Sequence, residues 1–139
     1  HLDSWVAADG AADNGAGSAV VMEAGRILAS LGVTPKRTIR IALWSGEEQG
    51  LHGSAAYIND HLARWPVPSD PQLAALGPYY ADDALPSEYL PGFLELAAYF
   101  NIDNGSGKIR GIHAEGNFGA TGALREWIGP FAPLGAASV

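Results

Sequence analysis

The sequence predicts an α/β fold in which a mostly parallel sheet is flanked by helices. Three observations lead to this prediction: a strand-like apolar run at 38–44, helical spacing of apolar residues on both sides of it, and a second apolar run at 96–102. Strands and helices that alternate along a chain are typical of a parallel sheet. The carboxyl ends of such strands share one edge, where ligands usually bind.

Helices are predicted over 15–31, 51–62 and 121–127. The first has apolar residues at helical spacing, and Gly32 followed by Pro35 marks its end. The apolar positions of this first helix are Val20, Val21, Ala24, Ile27, Leu28 and Leu31.

Strands are predicted at 38–44, 96–102 and 108–113. The segment 38–44 (TIRIALW) is β-branched and apolar without sustained alternation, as in a strand that is buried on both faces. The first half of 96–102 also fits a helix. The segment 108–113 is predicted as a short strand.

Residues 65–91 differ from the rest of the chain because they contain six prolines and three tyrosines. Such a stretch predicts a long loop, and its aromatic residues favour an ordered one. The sequence shows no internal repeat and no sign of a second domain. Residues 1–139 are therefore predicted to belong to a single domain, with 65–91 as an excursion from it.

Composition excludes several classes of protein and of site. The net charge is −7, from 15 acidic and 8 basic residues, which argues against a nucleic-acid partner because phosphate binding needs clustered Lys and Arg. The chain has no Cys, so disulfides and Cys-ligated zinc are excluded. Its apolar runs are too short for a membrane span.

Acidic residues fall where the predicted strands end. Glu47 and Glu48 follow 38–44, Asp103 follows 96–102, and Asp13 opens the first helix. His1 and Asp3 begin the chain; we expect them to follow a further strand, which makes the chain an internal piece of a longer protein. All six residues should then meet at one edge of the sheet.

The residue types at this edge suit a divalent metal. Carboxylate oxygens and imidazole nitrogens bind hard or borderline metals, and a ligating His usually donates its other ring N–H to a carboxylate, which fixes its tautomer. Residues two apart on an extended segment point to the same side, which suits His1 and Asp3. Glu47 and Glu48 would repel each other without a cation, whereas beside a metal one can ligate and the other can act as a base.

Four stretches together carry a family resemblance: HLDSW, ADNGAGSAVVMEAGRIL, PKRTIRIALWSGEEQGLHGS and FNIDNGSGKIRG. They resemble the co-catalytic di-zinc exopeptidases of metallopeptidase family 28, and most of all the carboxypeptidase Q-like branch. The resemblance covers most of the chain outside the Pro-rich stretch. It implies an incomplete zinc-exopeptidase fold, a partial peptidase catalytic domain over 1–139, and a secreted or periplasmic protein.

The resemblance also implies a set of zinc ligands. Asp13 would bridge two zinc ions, His1 and Asp103 would complete the protein ligands of one ion, and Glu48 would bind the other. The Asp13–Asn14 peptide bond would be cis. One further His ligand is expected beyond the Asp103 motif, and His113 does not lie in the family's motif for it. The second zinc site is therefore expected to be incomplete in this chain.

The remaining implied roles concern catalysis. Asp3 would orient His1, and Glu47 would be the general base that takes a proton from the nucleophilic water. The implied activity is hydrolysis of the terminal bond of short peptides, with the cleaved terminus left open. An isolated chain without the last His is expected to be inactive.

Other interpretations stay open at this point. A metal-free relative that kept the fold as an interaction module, or a glutaminyl cyclase with one zinc, would carry similar stretches. Asp103 also fits a turn with Asn104 and Gly105. His52, His61 and His113 are interpreted as surface or lining residues.

Overall fold

The chain forms two units, His1–Gly105 and Ser106–Val139, in the computed structural model. The structure describes residues 1–76, 85–103 and 105–139. Tyr79 and Tyr80 of the Pro-rich stretch therefore lie outside the described residues, as does Asn104. That residues 1–139 belong to one catalytic domain stays a prediction.

Five α-helices, α1 to α5, form along the described chain. They span Ala16–Ser30, His52–His61, Pro71–Leu76, Pro91–Glu95 and Thr121–Ile128. The helices predicted over 15–31, 51–62 and 121–127 are confirmed by α1, α2 and α5 to within one residue at each end. Gly32 has φ 64° and follows the C-cap of α1, a left-handed position that glycine adopts without steric cost.

Two short strands pair in an antiparallel manner. They are β1 (Ala63–Arg64) and β2 (Glu88–Tyr89), with Ala63 opposite Tyr89 and Arg64 opposite Glu88. An ion pair of 2.7 Å between Arg64 Nη1 and Glu88 Oε2 adds a side-chain contact across the pair. The mixture of helices and strands agrees with the α/β class.

The mostly parallel sheet that the sequence predicts is not present among the described residues. The segments 38–44 and 96–102 form no strand there, and 108–113 makes a single parallel bridge between Gly111 and Ser138. A strand needs a hydrogen-bonded neighbour, and apolar composition alone does not supply one. Ile39 and Ile41 are 53% and 45% exposed, so the segment 38–44 is not buried on both faces.

The two predicted strands of the first unit are nevertheless linked through side chains. Trp44 Nε1 donates a hydrogen bond of 3.1 Å to the Tyr99 hydroxyl, which donates in turn to Asn101 Oδ1 at 3.1 Å. The backbone carbonyl of Trp44 accepts a hydrogen bond of 2.7 Å from the N–H of Leu2. These contacts join the end of 38–44 to Leu2 and to Tyr99 without a sheet.

The described part of the Pro-rich stretch contains helices and a strand. It includes α3, β2 and the first residue of α4, and its described residues are tied back to the chain around β1. Ser87 N–H donates to Arg64 O at 2.7 Å, and Leu90 N–H donates to Leu62 O at 2.8 Å. The rings of Tyr89 and Phe93 lie 4.5 Å apart. That 65–91 is an ordered excursion from the domain stays a prediction.

The buried residues of the first unit are concentrated at one place. Among the residues that the structure describes they are His1, Asn14, Gly17, Ser18 and Ala63, and all but Ala63 surround the N-terminus of α1. The second unit instead buries apolar residues, among them Leu124 and Ile128 on one face of α5. The tightest packing of the first unit therefore lies around polar side chains. No described helix is long and apolar enough to cross a membrane.

Gly17 and Gly122 offer a matched test of this packing, because each is the second residue of a helix. A Cβ on Gly17 would overlap the Asn14 side chain and lie 2.9 Å from the Ile102 carbonyl, whereas a Cβ on Gly122 would meet nothing. We expect Gly17→Ala to lower the free energy of unfolding by about 1–3 kcal/mol through overpacking. Gly122→Ala should raise it by about 0.5–1 kcal/mol through helix propensity.

Urea unfolding followed by far-UV circular dichroism measures both variants. Equal stability of the Gly17→Ala chain and the unmodified chain would contradict the close approach of α1 to Ile102.

Candidate metal centre

His1 is the centre of the candidate site. Its side chain is 2% exposed, and its backbone carbonyl accepts a hydrogen bond of 2.7 Å from the Ser18 hydroxyl in the first turn of α1. The hydrogen bond from Leu2 N–H to Trp44 O holds the same segment on its other side. His1 is therefore held between α1 and the end of the apolar segment 38–44.

Three carboxylates lie around the same ring nitrogen of His1. Nε2 is 3.1 Å from Asp103 Oδ1, 3.2 Å from Asp13 Oδ1 and 3.6 Å from Glu47 Oε2. Glu48 joins this group, since one ligand atom each from His1, Asp13 and Glu48 lie within 4.8 Å of one another. The structure thus brings together all the residues that the sequence nominates as metal ligands.

The turn before α1 presents Asp13. Residues Ala11–Gly15 form a π-type turn in which Asp13 and Asn14 depart from helical backbone angles. The Asp13–Asn14 peptide bond is cis, as the sequence resemblance implies. Gly15 N–H donates to Gly10 O at 2.7 Å, which closes the turn.

Asn14 is a site residue that the sequence interpretation missed. It is 1% exposed, and its Nδ2 donates a hydrogen bond of 3.2 Å to the carbonyl of Ile102, the residue before Asp103. Gly105 N–H donates to Ala12 O at 3.4 Å beside it. Asn14 therefore ties the turn that carries Asp13 to the segment that carries Asp103. The sequence feature that could have pointed to Asn14 is its single amide side chain next to the small residues Gly15, Ala16 and Gly17.

A second turn presents Glu47 and Glu48. Gly46 begins it in the left-handed region at φ 68°, where glycine is favoured, and Leu51 ends it at φ 62°. The N–H groups of Gly50 and Leu51 both donate to Glu47 O at 2.9 Å. The backbone N–H groups of Glu47 and Glu48 donate to Asp3, each at 3.1 Å. This turn leads directly into α2.

The spacing of the donor atoms fits a metal ion. Two ligands of a tetrahedral zinc, with bonds of about 2.0–2.1 Å, lie roughly 3.3–3.4 Å apart. The distances from His1 Nε2 to Asp103 and Asp13 are 3.1 and 3.2 Å. Glu48 Oε1 is buried without a hydrogen-bond partner, which leaves an oxygen for a cation. The donor set of imidazole and carboxylates is one that zinc accepts.

The site also carries a large excess of negative charge. Five carboxylates face a single imidazole, so that even a protonated His1 leaves a formal charge of −4. The members of this group are Asp3, Asp13, Glu47, Glu48 and Asp103. The Arg–Glu ion pairs of the described residues lie elsewhere, at Arg26–Glu23 and Arg64–Glu88. Like charges at this spacing repel, and a bound cation would relieve the repulsion.

The electrostatic environment shifts the pKa of three groups. For His1, burial acts to lower the pKa, but the charge of Asp103, the hydrogen bond to the backbone of Asp3 and the charge of Glu47 together outweigh it and raise the pKa above its ordinary value. Burial raises the pKa of Glu48, and the charges of Asp13 and Glu47 raise it further. For Asp3, burial opposes ionisation, yet the N–H donors of Glu47 and Glu48 lower its pKa.

The other histidines are not part of this group. His61 packs against Tyr57 with ring centroids 4.5 Å apart, and His52 lies at the start of α2. His113 is exposed in the second unit. Their interpretation as surface or lining residues agrees with these positions.

The comparison with known families agrees with the site. The profile described as Peptidase family M28 matches residues 1–112. The chain therefore belongs to peptidase family M28.

Curated relatives match a shorter part of the chain. Carboxypeptidase Q of Xenopus laevis is 48% identical over 61 residues, which are 44% of this chain and 13% of that protein. Carboxypeptidase Q of Bos taurus is 48% identical over 63 residues, 45% of this chain and 13% of that protein. Leupeptin-inactivating enzyme 1 of Streptomyces exfoliatus is 42% identical over 60 residues, 43% of this chain and 14% of that protein.

These matches span less than a sixth of the length of the relatives. No solved structure matches the chain.

The raised pKa of His1 predicts a pH dependence of stability. A group whose pKa is higher in the folded chain than its ordinary value of about 6.5 stabilises the fold fully below that pH. Its contribution is lost as the pH rises through the folded-state pKa. We therefore expect the free energy of unfolding of the metal-free chain to fall as the pH is raised from about 6 toward the raised pKa of His1.

Urea unfolding at a series of pH values in the presence of a chelator measures this loss. His1→Gln is the control, and it should remove the decline in this range. Zinc should reverse the decline for the unmodified chain, because binding requires the neutral imidazole. A stability that rises with pH over the same range in the metal-free chain would contradict the prediction.

Proposed function

We propose that the protein carrying this chain is a zinc-dependent exopeptidase that hydrolyses the terminal peptide bond of short peptides. The observation that supports this most is the group of carboxylates around one buried imidazole, with Nε2 of His1 3.1 and 3.2 Å from Asp103 and Asp13. Membership of peptidase family M28 supports a hydrolase.

The names of two relatives support an exopeptidase in general. They include Carboxypeptidase Q and Aminopeptidase NAALADL1, the latter from Rattus norvegicus and 41% identical over 68 residues, 46% of this chain and 9% of that protein. Removal of a terminal residue is the activity that these two names share. We therefore propose the exopeptidase class without a choice of terminus.

The proposed ligands divide between two zinc ions. His1 and Asp103 would hold the first ion, Glu48 would hold the second, and Asp13 would contact both. Two-metal sites keep their ions about 3.5–4 Å apart, so ligands of the second ion need not touch those of the first. Glu48 has a ligand atom within 4.8 Å of those of His1 and Asp13, which supports its place in the same site. When bound, the zinc ions supply a Lewis acid that lowers the pKa of water and polarises the scissile carbonyl.

Glu47 is the proposed general base. Its Oε2 lies 3.6 Å from His1 Nε2, farther than the carboxylate oxygens of Asp13 and Asp103. The Glu47 carboxylate is therefore next to the proposed ligands without being one of them. A base in this position takes a proton from the attacking water and can return it to the leaving amine. The Glu47 side chain is 28% exposed, which leaves it open to a substrate.

An interaction module without metal is the competing function. Such a module gains nothing from gathering five carboxylates around one imidazole, since their mutual repulsion destabilises the fold. The formal charge of the site therefore favours the metalloenzyme.

Replacement of the general base tests the proposed function. In the full-length protein, Glu47→Gln should lower kcat for dipeptide hydrolysis by about 10²–10⁴-fold, because a positioned base contributes that much. The unmodified enzyme should lose activity with a chelator and regain it with zinc. Glu23→Gln, on the exposed face of α1, is the matched control and should leave kcat unchanged.

Hydrolysis that survives both the chelator and Glu47→Gln would refute the proposed mechanism. Absence of hydrolysis by the zinc-loaded, unmodified enzyme would refute the function.

Residues 1–139 alone should bind zinc weakly and should not turn over peptides, because His1 is the one imidazole that the described residues bring to the carboxylates. Isothermal titration of residues 1–139 with zinc measures the binding. His1→Gln should weaken it further, since the ring lies among the proposed ligands, whereas His113→Gln, which removes an exposed imidazole of the second unit, should not. Two tight sites in the isolated chain would contradict this prediction.

A further inference from the structure

We propose that Asp3 is a positioning residue with two separate roles. Its carboxylate holds the turn that carries Glu47 and Glu48, while its main-chain carbonyl orients the imidazole of His1. The inference deepens the proposed function and rests on it only for the catalytic consequence. The resemblance in sequence assigned the carboxylate to His1 alone.

The carboxylate of Asp3 is engaged by the turn through both oxygens. Oδ1 accepts the N–H of Glu47 at 3.1 Å, and Oδ2 accepts the N–H of Glu48 at 3.1 Å. Successive backbone N–H groups that converge on one anion form a concave nest, which binds negative charge well. Hydrogen bonds to a charged acceptor are also stronger than neutral ones. Both residues of the catalytic pair are thus fixed by one side chain 44 and 45 positions away.

The contact between Asp3 and His1 is of a different kind. His1 Nδ1 is 3.0 Å from the main-chain carbonyl oxygen of Asp3, but 3.5 Å from Oδ1 of its carboxylate. A hydrogen bond from an N–H group to oxygen has a donor–acceptor distance of about 2.7–3.2 Å. The carbonyl is therefore the acceptor for His1. This leaves Nε2 facing Asp13 and Asp103.

The two roles have different consequences when the side chain is changed. Any substitution at Asp3 retains the carbonyl, so the orientation of His1 should survive. Asp3→Asn replaces one of the two acceptor oxygens by an NH2 group and removes the negative charge, so the hold on the N–H groups of Glu47 and Glu48 should weaken. The proposed base and the proposed ligand should then lose their position. Displacement of catalytic groups by about 1 Å is enough to cost large factors in rate.

Nuclear magnetic resonance of the metal-free chain 1–139 tests the inference without any activity measurement. In Asp3→Asn, the amide protons of Glu47 and Glu48 should move upfield and exchange with solvent about tenfold faster, as expected when a charged acceptor is lost. The ring ¹⁵N signals of His1 should keep the pattern of the unmodified chain. Asp9→Asn, at an exposed carboxylate of the same segment, is the matched control and should change neither.

A change in the His1 ring signals with unchanged amides of Glu47 and Glu48 would overturn the inference. A second measurement needs no variant and therefore no assumption about folding. In the unmodified chain, couplings across hydrogen bonds should connect the amide nitrogens of Glu47 and Glu48 to Cγ of Asp3. A further coupling should connect Nδ1 of His1 to the main-chain carbonyl carbon of Asp3. Coupling of His1 Nδ1 to Cγ instead would overturn the assignment.

The catalytic consequence is measured separately in the full-length protein. Asp3→Asn should lower kcat while leaving KM nearly unchanged, because the base is displaced and the substrate contacts are not. Failure of the proposed function shows as an inactive unmodified enzyme, whatever the amide signals are. Failure of the inference shows in the amide and ring signals, whatever the activity is.

Discussion

The gathering of five carboxylates around the imidazole of His1 is the constraint on which the first unit depends. A formal charge of −4 in a partly buried site opposes folding unless the groups are held by other contacts or neutralised by a cation. The structure supplies the first kind of contact through backbone donors. It leaves Glu48 Oε1 buried without a partner, where a cation would supply the second. Stability and metal binding are therefore coupled at the same atoms.

Three polar contacts assemble this site from distant parts of the chain. Ser18 binds the carbonyl of His1, Asn14 binds the carbonyl of Ile102, and Asp3 binds the turn of Glu47 and Glu48. Each contact joins a segment that carries a proposed ligand to another segment, and two of them begin near the N-terminus of α1. Four of the five buried residues in the described part of the first unit lie there. Polar contacts, rather than a large apolar core, therefore set the geometry of the site.

Sequence patterns predicted the helices well and the sheet poorly, for one physical reason. A helix closes its hydrogen bonds within one segment, so the spacing of Val20, Ile27 and Leu31 and the stop at Gly32 were sufficient to define α1. A strand requires a neighbour, and the apolar run 38–44 contains no information about whether one is available. In the structure a hydrogen bond from Leu2 N–H to Trp44 O links that run to residues 1–3, and a hydrogen bond from Trp44 Nε1 links it to Tyr99.

The sequence by itself determined the chemical types at the site and the family, because imidazole, carboxylate and the order of the four stretches are properties of the chain. It nominated His1, Asp3, Asp13, Glu47, Glu48 and Asp103. The tertiary structure decided which atoms meet. The structure shows that the Asp3 carboxylate accepts two backbone N–H groups while the Asp3 carbonyl contacts His1. It also shows that Asn14 is buried against Ile102. Hydrogen bonds over such separations depend on how segments pack, which residue spacing does not encode.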